Sequence, residues 1–368
     1  FGVLHQELGG PPFFRVTAIA VGLGLNRGFK TGPIEKVAQH PLIEFATAPA
    51  SKSAMALLDE ARPKLDPYLP VNPGAYWFSI GVRGNTFGLL NSFLLLTLAV
   101  GEETSISVLG LSKFQLPMPI PGQPVKPLAK VDLQIKTEYL VNAGTLTVDA
   151  LIAPGAYVLD PACTLQGQFA FYAWFKHEHA GDFALSLGGW HPEFYPPAHY
   201  PDVDPVQMDW RVNDNLSLHG DLYFGLTPSC VMAGGSLSAS YDSGHLHAGF
   251  EIRANFLLSW EPLHYSADVF VSLHADYVLV IDWGPFGVSR TPFHLNCSVL
   301  LKVWGPPFGA LAMVTWTIFS FDIEVPPARD PNALNPIGWA ATKERFLPAR
   351  QTDWHSLAVT QGLIERRD

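Results

Sequence analysis

The sequence predicts an all-β protein: a large antiparallel meander that forms a curved sheet or a barrel-like sandwich, with one or two short helices. Three observations predict this fold. Apolar and polar residues alternate with a period of two over many long runs. Glycine, proline and aspartate cluster between these runs, as chain reversals require. Helical spacing of apolar residues is confined to two short segments.

The first part of the chain, residues 1–115, is predicted to be β-rich with one short helix. The helix is expected over 53–62, where an apolar stripe recurs at helical spacing and Pro63 ends it. Strands are predicted at 14–25, 75–83, 89–100 and 105–111. Residues 116–127 follow as a proline-rich connector, because closely spaced prolines allow only extended backbone.

The main antiparallel meander is predicted over 128–325. In the run 130–139, apolar side chains face one way and charged or amide side chains the other, which indicates a half-buried strand. Short turn signals such as Asp242-Ser243-Gly244 separate the later runs, so successive strands are expected to pair directly. Further strands are predicted at 145–150, 165–175, 182–188, 246–260, 267–283 and 293–303. The tail, 326–368, is predicted to hold a short helix at 354–363.

Charged residues are sparse. They make up 15% of the chain, against roughly 25% in an average soluble domain. The exterior is therefore unusually neutral, and we expect it to be covered by copies of the chain, by other domains of a larger protein or by a hydrophobic ligand.

The net charge of -10 argues against a nucleic-acid partner. The longest apolar stretch, 87–100, is too short for a transmembrane helix.

The sequence shows no catalytic or cofactor-binding motif. The glycines of 22–28 resemble a dinucleotide loop, but no helix can follow them, so no cofactor is predicted. Two His-x-His pairs each place two imidazoles on one face of a strand, an arrangement that zinc accepts. The pairs are His177 with His179 and His245 with His247. A metal site would need the pairs to meet, and hydrogen-bonded or solvated histidines are the prediction instead.

The densest motif is the aromatic and proline-rich segment 188–201. Prolines restrict its backbone, which lowers the entropic cost of presenting aromatic rings to a sugar or to a partner chain. The predicted binding residues are Trp190, His191, Phe194, Tyr195 and Tyr200. The alternative is a loop that packs over the open end of the sheet.

Three strings carry a family resemblance. They are the loop Gly188-Gly189-Trp190-His191-Pro192, the segment Leu226-Thr227-Pro228-Ser229 with Met232-Ala233-Gly234-Gly235, and the turn Trp304-Gly305-Pro306-Pro307-Phe308-Gly309. With them the sequence resembles an uncharacterised β-rich family of unknown function, found in large fungal and bacterial proteins. The similarity covers most of 128–325. It implies an all-β fold and a place in a larger protein, and it assigns no catalytic residue.

Three functions follow from these patterns. The first is a non-enzymatic structural module that self-associates or packs against other domains through a neutral β surface. The alternative is a carrier that holds a lipid or another hydrophobic ligand on the concave face of the sheet. A third hypothesis is a carbohydrate-binding module that uses the loop 188–201.

Overall fold

A computed structural model of the chain describes most of residues 1–347. The residues within this range that it does not describe are 7, 12, 49–53, 118–125, 283–286 and 327–336. The helix predicted at 354–363 and most of the predicted connector lie outside the described residues.

The N-terminal part forms six strands of one antiparallel sheet. They are β1 (Gly2–Leu4), β2 (Phe14–Arg27), β3 (Val71–Thr86), β4 (Leu90–Val100), β5 (Ser105–Leu116) and β6 (Ala129–Leu140). Each strand pairs with the next, so β5 and β6, on the two sides of the connector, lie side by side. The connection from β2 to β3 holds a 3₁₀ helix (Ile34–Gln39), α1 (Pro41–Thr47) and α2 (Ala54–Tyr68).

In the middle of the sheet, short strands form two series of antiparallel pairs that lie side by side, and we call each series a track. They are β7 (Thr145–Ile152), β8 (Ala156–Val158), β9 (Cys163–Gln166), β10 (Gln168–Trp174), β11 (Phe183–Leu187) and β12 (Val206–Arg211). One track, β7, β10 and β11, connects β6 to β13 (Leu216–Leu226). The other track, β8, β9 and β12, connects the same two strands.

Gly167 separates β9 from β10, whereas the sequence predicts a single strand over 165–175. Its φ of +150° is unfavourable for residues with a side chain, and a Cβ would lie 2.7 Å from the Cα of Val206. The chain therefore changes track at this glycine.

The remaining strands form the predicted meander. They are β14 (Cys230–Asp242), β15 (Leu246–Trp260), β16 (Leu263–Asp282), β17 (Val288–Gly305), β18 (Gly309–Trp316) and β19 (Phe319–Val325). Each pairs with its neighbour, and all 19 strands belong to one sheet. The all-β prediction is confirmed, and the sheet is not a clean barrel. A last helix, α3 (Trp339–Phe346), follows the sheet.

The main core lies between one face of the N-terminal strands and the helices. Strand residues such as Trp77, Leu95 and Leu109 pack against the apolar sides of the 3₁₀ helix and α1. The helix residues are Ile34, Val37, Leu42, Ile43 and Ala46. These helices thus cover one face of the sheet here.

α2 continues to Tyr68, although the sequence predicts that Pro63 ends it. Beyond the proline, Lys64 donates to both carboxylate oxygens of Glu44 in α1, at 2.6 and 2.8 Å. Leu65 and Tyr68 pack against the main core. These tertiary contacts offset the lost hydrogen bond and the steric cost of proline.

His40 is buried at the start of α1. Its Nδ1 accepts a hydrogen bond from the Leu42 N–H at 3.3 Å, so the side chain caps the helix. The ring is 0% exposed and packs against Phe29 and Tyr68. Burial lowers the pKa of His40 from 6.5 to about 4.

The depressed pKa of His40 predicts a stability that falls with acid. The unfolded chain binds this proton near pH 6.5, whereas the folded chain excludes it until the pH reaches about 4. Between these values the unfolding free energy is expected to fall by on the order of 3 kcal/mol as the pH is lowered. Urea titrations across this window measure the slope. His40→Asn keeps a side-chain acceptor that can cap α1, and it should reduce the dependence of the unfolding free energy on pH. An equal slope in this variant would refute the attribution of the pH dependence to His40.

Candidate functional site

The two faces of the sheet differ in chemistry. In an antiparallel sheet, paired residues point to the same face, so the strand registers assign each residue to a face. One row of paired residues crosses the sheet from β1 to β19, and all of its members are apolar. The row is Leu4, Ile19, Val82, Leu94, Gly110, Ile135, Ala150, Phe169, Leu187, Phe224, Ala233, Phe256, Ala267, Val303, Ala310 and Val325. We call the face that contains this row the apolar face.

Neighbouring rows on the apolar face have the same character. At the paired positions of the described strands β3–β19, no Asp, Glu, Lys or Arg lies on this face. The second track contributes apolar residues too, such as Leu165, Met208 and Trp210. The charged residues of these strands therefore lie on the opposite face.

The apolar face is open to solvent. Leu96 in β4 is 49% exposed and Leu301 in β17 is 44% exposed, although each has apolar neighbours on both adjacent strands. The exposed leucines, valines and aromatic residues form a continuous patch rather than isolated side chains. The alternating run 246–260 follows this arrangement, because its apolar stripe lies on the open face while Leu257 and Ser259 are buried on the opposite one.

The aromatic loop lies on the opposite face, between β11 and β12. Trp190 and Phe194 pack on a small core of Tyr223, Cys230, Met232 and Leu257. The Trp190 ring also contacts Phe194 and Tyr200, with centroids 5.4 and 5.8 Å away. The loop is therefore seated on the sheet.

The predicted binding residues of this loop occupy different environments. Trp190, Phe194 and Tyr200 form one partly buried cluster, whereas His191 is 3% exposed and Tyr195 is 84% exposed. The structure does not bring all five to one surface. Their role in binding stays a prediction.

A polar cluster lies beside these rings. The Asp182 carboxylate is buried, accepts a hydrogen bond from the Tyr200 hydroxyl at 3.0 Å and lies 2.9 Å from His199 Nε2. His179 stacks on His199 with ring centroids 3.8 Å apart. Burial and the Asp182 charge raise the pKa of Tyr200, so its hydroxyl stays protonated and donates. A cavity of about 150 Å³ opens next to the cluster.

Sequence reasoning singled out two members of this cluster, Tyr200 as a binding residue and His179 as a candidate metal ligand, but neither Asp182 nor His199. The predicted partner of His179, His177, has a φ of +61° and bonds to the Asn142 carbonyl instead. In the second pair, His247 lies 3.2 Å from Asp242. No spacing rule connects Asp182 to His199, because a loop brings them together.

The family assignment follows from the whole chain. A model of one family, described as a family of unknown function, matches residues 1–368. The chain belongs to the DUF6603 family. The predicted resemblance to an uncharacterised family is thereby confirmed. No curated protein and no solved structure matches the DUF6603 chain.

The helices of the DUF6603 chain are short. Among the described residues, none forms a helix with the length and apolar character that crossing a bilayer requires.

Proposed function

We propose that this DUF6603 chain carries lipids, whose hydrocarbon chains lie along the apolar face. The observation that supports the proposal most is the uninterrupted apolar row from Leu4 to Val325. Rows of side chains on both sides of it are also uncharged and open, so the face offers a continuous hydrocarbon surface. Such a surface is unfavourable in water unless something covers it.

The dimensions suit extended acyl chains. Strands lie about 4.8 Å apart, so the sixteen strands that the row crosses span about 70 Å along the sheet. Each buried methylene contributes about 0.8 kcal/mol. A palmitoyl chain with half its surface buried would gain on the order of 6 kcal/mol, which corresponds to a dissociation constant of tens of micromolar.

The chemistry of the face favours hydrocarbon over a protein partner. Protein interfaces carry about one hydrogen bond per 100–200 Å². On the apolar face the polar groups are few, and two of them, the hydroxyls of Ser92 and Ser112, bond to each other at 2.7 Å. Acyl chains need no hydrogen bonds, so this face can cover them without leaving polar groups unpaired.

Lipid uptake from vesicles tests the proposal. The chain is purified without detergent, stripped of lipid and incubated with phosphatidylcholine vesicles that contain a trace of fluorescent phosphatidylcholine. After the vesicles are floated away, we expect the remaining protein to hold fluorescent lipid and to be monomeric by light scattering. Protein that holds no lipid would refute the proposal, and so would protein that is recovered only with the vesicles.

A second candidate is assembly through β19. Every residue of this edge strand is exposed. The Phe319 ring stacks on Phe321 of the same strand and on Trp316 at the end of β18, with centroids 6.3 and 6.4 Å apart. In the described part of the chain, β18 is the strand that pairs with β19, so the outer edge of β19 can add a strand from another copy or domain. A high-mass species without bound lipid in the same light-scattering measurement would favour this function.

A further inference from the structure

We propose that His179, Asp182 and His199 bind one divalent transition-metal ion, with Zn²⁺ as the best-suited species. One ligand atom from each residue lies within 4.8 Å of the other two. Two imidazole nitrogens and one carboxylate oxygen are a donor set that zinc prefers. The site lies on the opposite face of the sheet, beside Trp174, so the inference does not depend on lipid binding.

Asp182 is held in position for this role. Its Oδ1 accepts from the Tyr200 hydroxyl at 3.0 Å and from the Phe183 N–H at 2.8 Å. Its Oδ2 points to His199 Nε2, 2.9 Å away. Two atoms bound to the same zinc ion at about 2.1 Å lie roughly 3.0–3.4 Å apart, so this pair is already near ligand spacing.

His179 supplies the third donor from the turn between β10 and β11. Its ring stacks on His199, and its Nε2 lies 3.1 Å from Glu178, whose side chain is 83% exposed. Because Glu178 is largely exposed, a contact of this kind contributes little free energy. The nitrogen can therefore exchange Glu178 for the metal, with a movement of roughly 1–2 Å to reach bonding distance.

The surroundings resemble those of metal sites with an open position. Trp174 packs edge-on against His199 and stacks on Tyr200, which restricts both rings. The cavity of about 150 Å³ borders Asp182 and His199 and is also lined by Trp339 of α3. Three protein ligands with space for water in the fourth position are typical of catalytic rather than structural zinc.

Titration with Zn²⁺ tests the site in the full, tag-free chain after treatment with chelator. We expect one ion per chain by calorimetry, and visible absorption when Co²⁺ is used instead. His199→Gln and Asp182→Asn should lower the affinity at least ~100-fold. Tyr200→Phe leaves all three ligands but removes the bond that orients Asp182, and it should lower the affinity ~10- to 100-fold.

The matched control is His247→Gln, because this exposed histidine also lies beside a carboxylate, Asp242. Its affinity for Zn²⁺ should equal that of the wild type. Circular dichroism identifies variants that fail to fold, and His199→Gln, at a partly exposed position, keeps the test valid if Asp182→Asn unfolds. Absence of stoichiometric binding to the folded wild type, or binding that is lost in His247→Gln but kept in His199→Gln, would overturn the proposal.

Discussion

We expect the double variant Val299→Glu/Phe321→Glu to weaken lipid binding at least ~10-fold. Both glutamates lie on the apolar face, in the part formed by β15–β19, and the loss is expected there. The two positions lie in one row, with Val314 between them on β18. A hydrocarbon chain that covers this row would strip water from both carboxylates and offer no hydrogen bond in return. Covalent labelling of this segment by a photoreactive phosphatidylcholine measures the loss.

The chain offers a closely matched control. Ser298→Glu/Ser320→Glu adds the same two charges to the preceding residues, in one row of the opposite face with Thr315 between them. This variant should bind lipid as the wild type does. Equal losses in the two variants would mean that net charge, rather than the apolar face, governs binding.

Leu95→Ala is expected to lower the unfolding free energy by about 3 kcal/mol, whereas Leu96→Ala should lower it by less than about 1 kcal/mol. The two leucines are neighbours in β4, but Leu95 is 0% exposed in the main core and Leu96 is 49% exposed on the apolar face. Truncation of Leu95 leaves a cavity under the helices, and truncation of Leu96 removes atoms that water already reaches.

Urea unfolding of the lipid-free variants compares the two leucines directly. Equal destabilisation would show that both faces of β4 are buried in the folded chain. If lipid is then added, it should stabilise the wild type more than Leu96→Ala, since a ligand that binds only the folded state raises its stability.

The strands were predictable because the period of two follows directly from the alternation of side chains across a pleated sheet. The run 246–260 is β15, with the same bounds. The direction of its apolar stripe was not predictable. An apolar stripe shows only that one side of a strand carries no charged residues. In β15 that side lies on the solvent-exposed apolar face of the sheet.

Local rules failed where distant residues decide the structure. α2 passes Pro63 because Lys64, Leu65 and Tyr68 find partners outside the helix. Likewise, α1 begins at Pro41, directly after His40, whose ring serves as the capping group. Sequence patterns for helix ends do not include either contact.

The polar cluster escaped prediction for a similar reason. Asp182 and His199 are 17 residues apart in the chain. They meet because Trp190 and Phe194 seat the loop on Met232 and Leu257. Two of the predicted binding residues, Trp190 and Phe194, thus also support the loop from beneath, while the role of the set in binding stays a prediction.

Photo-crosslinking with a fatty acid that carries its reactive group in the acyl chain tests the continuous apolar face most directly. The crosslinked residues are identified by mass spectrometry of the folded, monomeric chain. Labels confined to apolar-face residues, and spread from β2 to β19, would agree with the account. Labels on opposite-face residues such as Ser272 or Lys302, or none while the chain stays folded and monomeric, would contradict it.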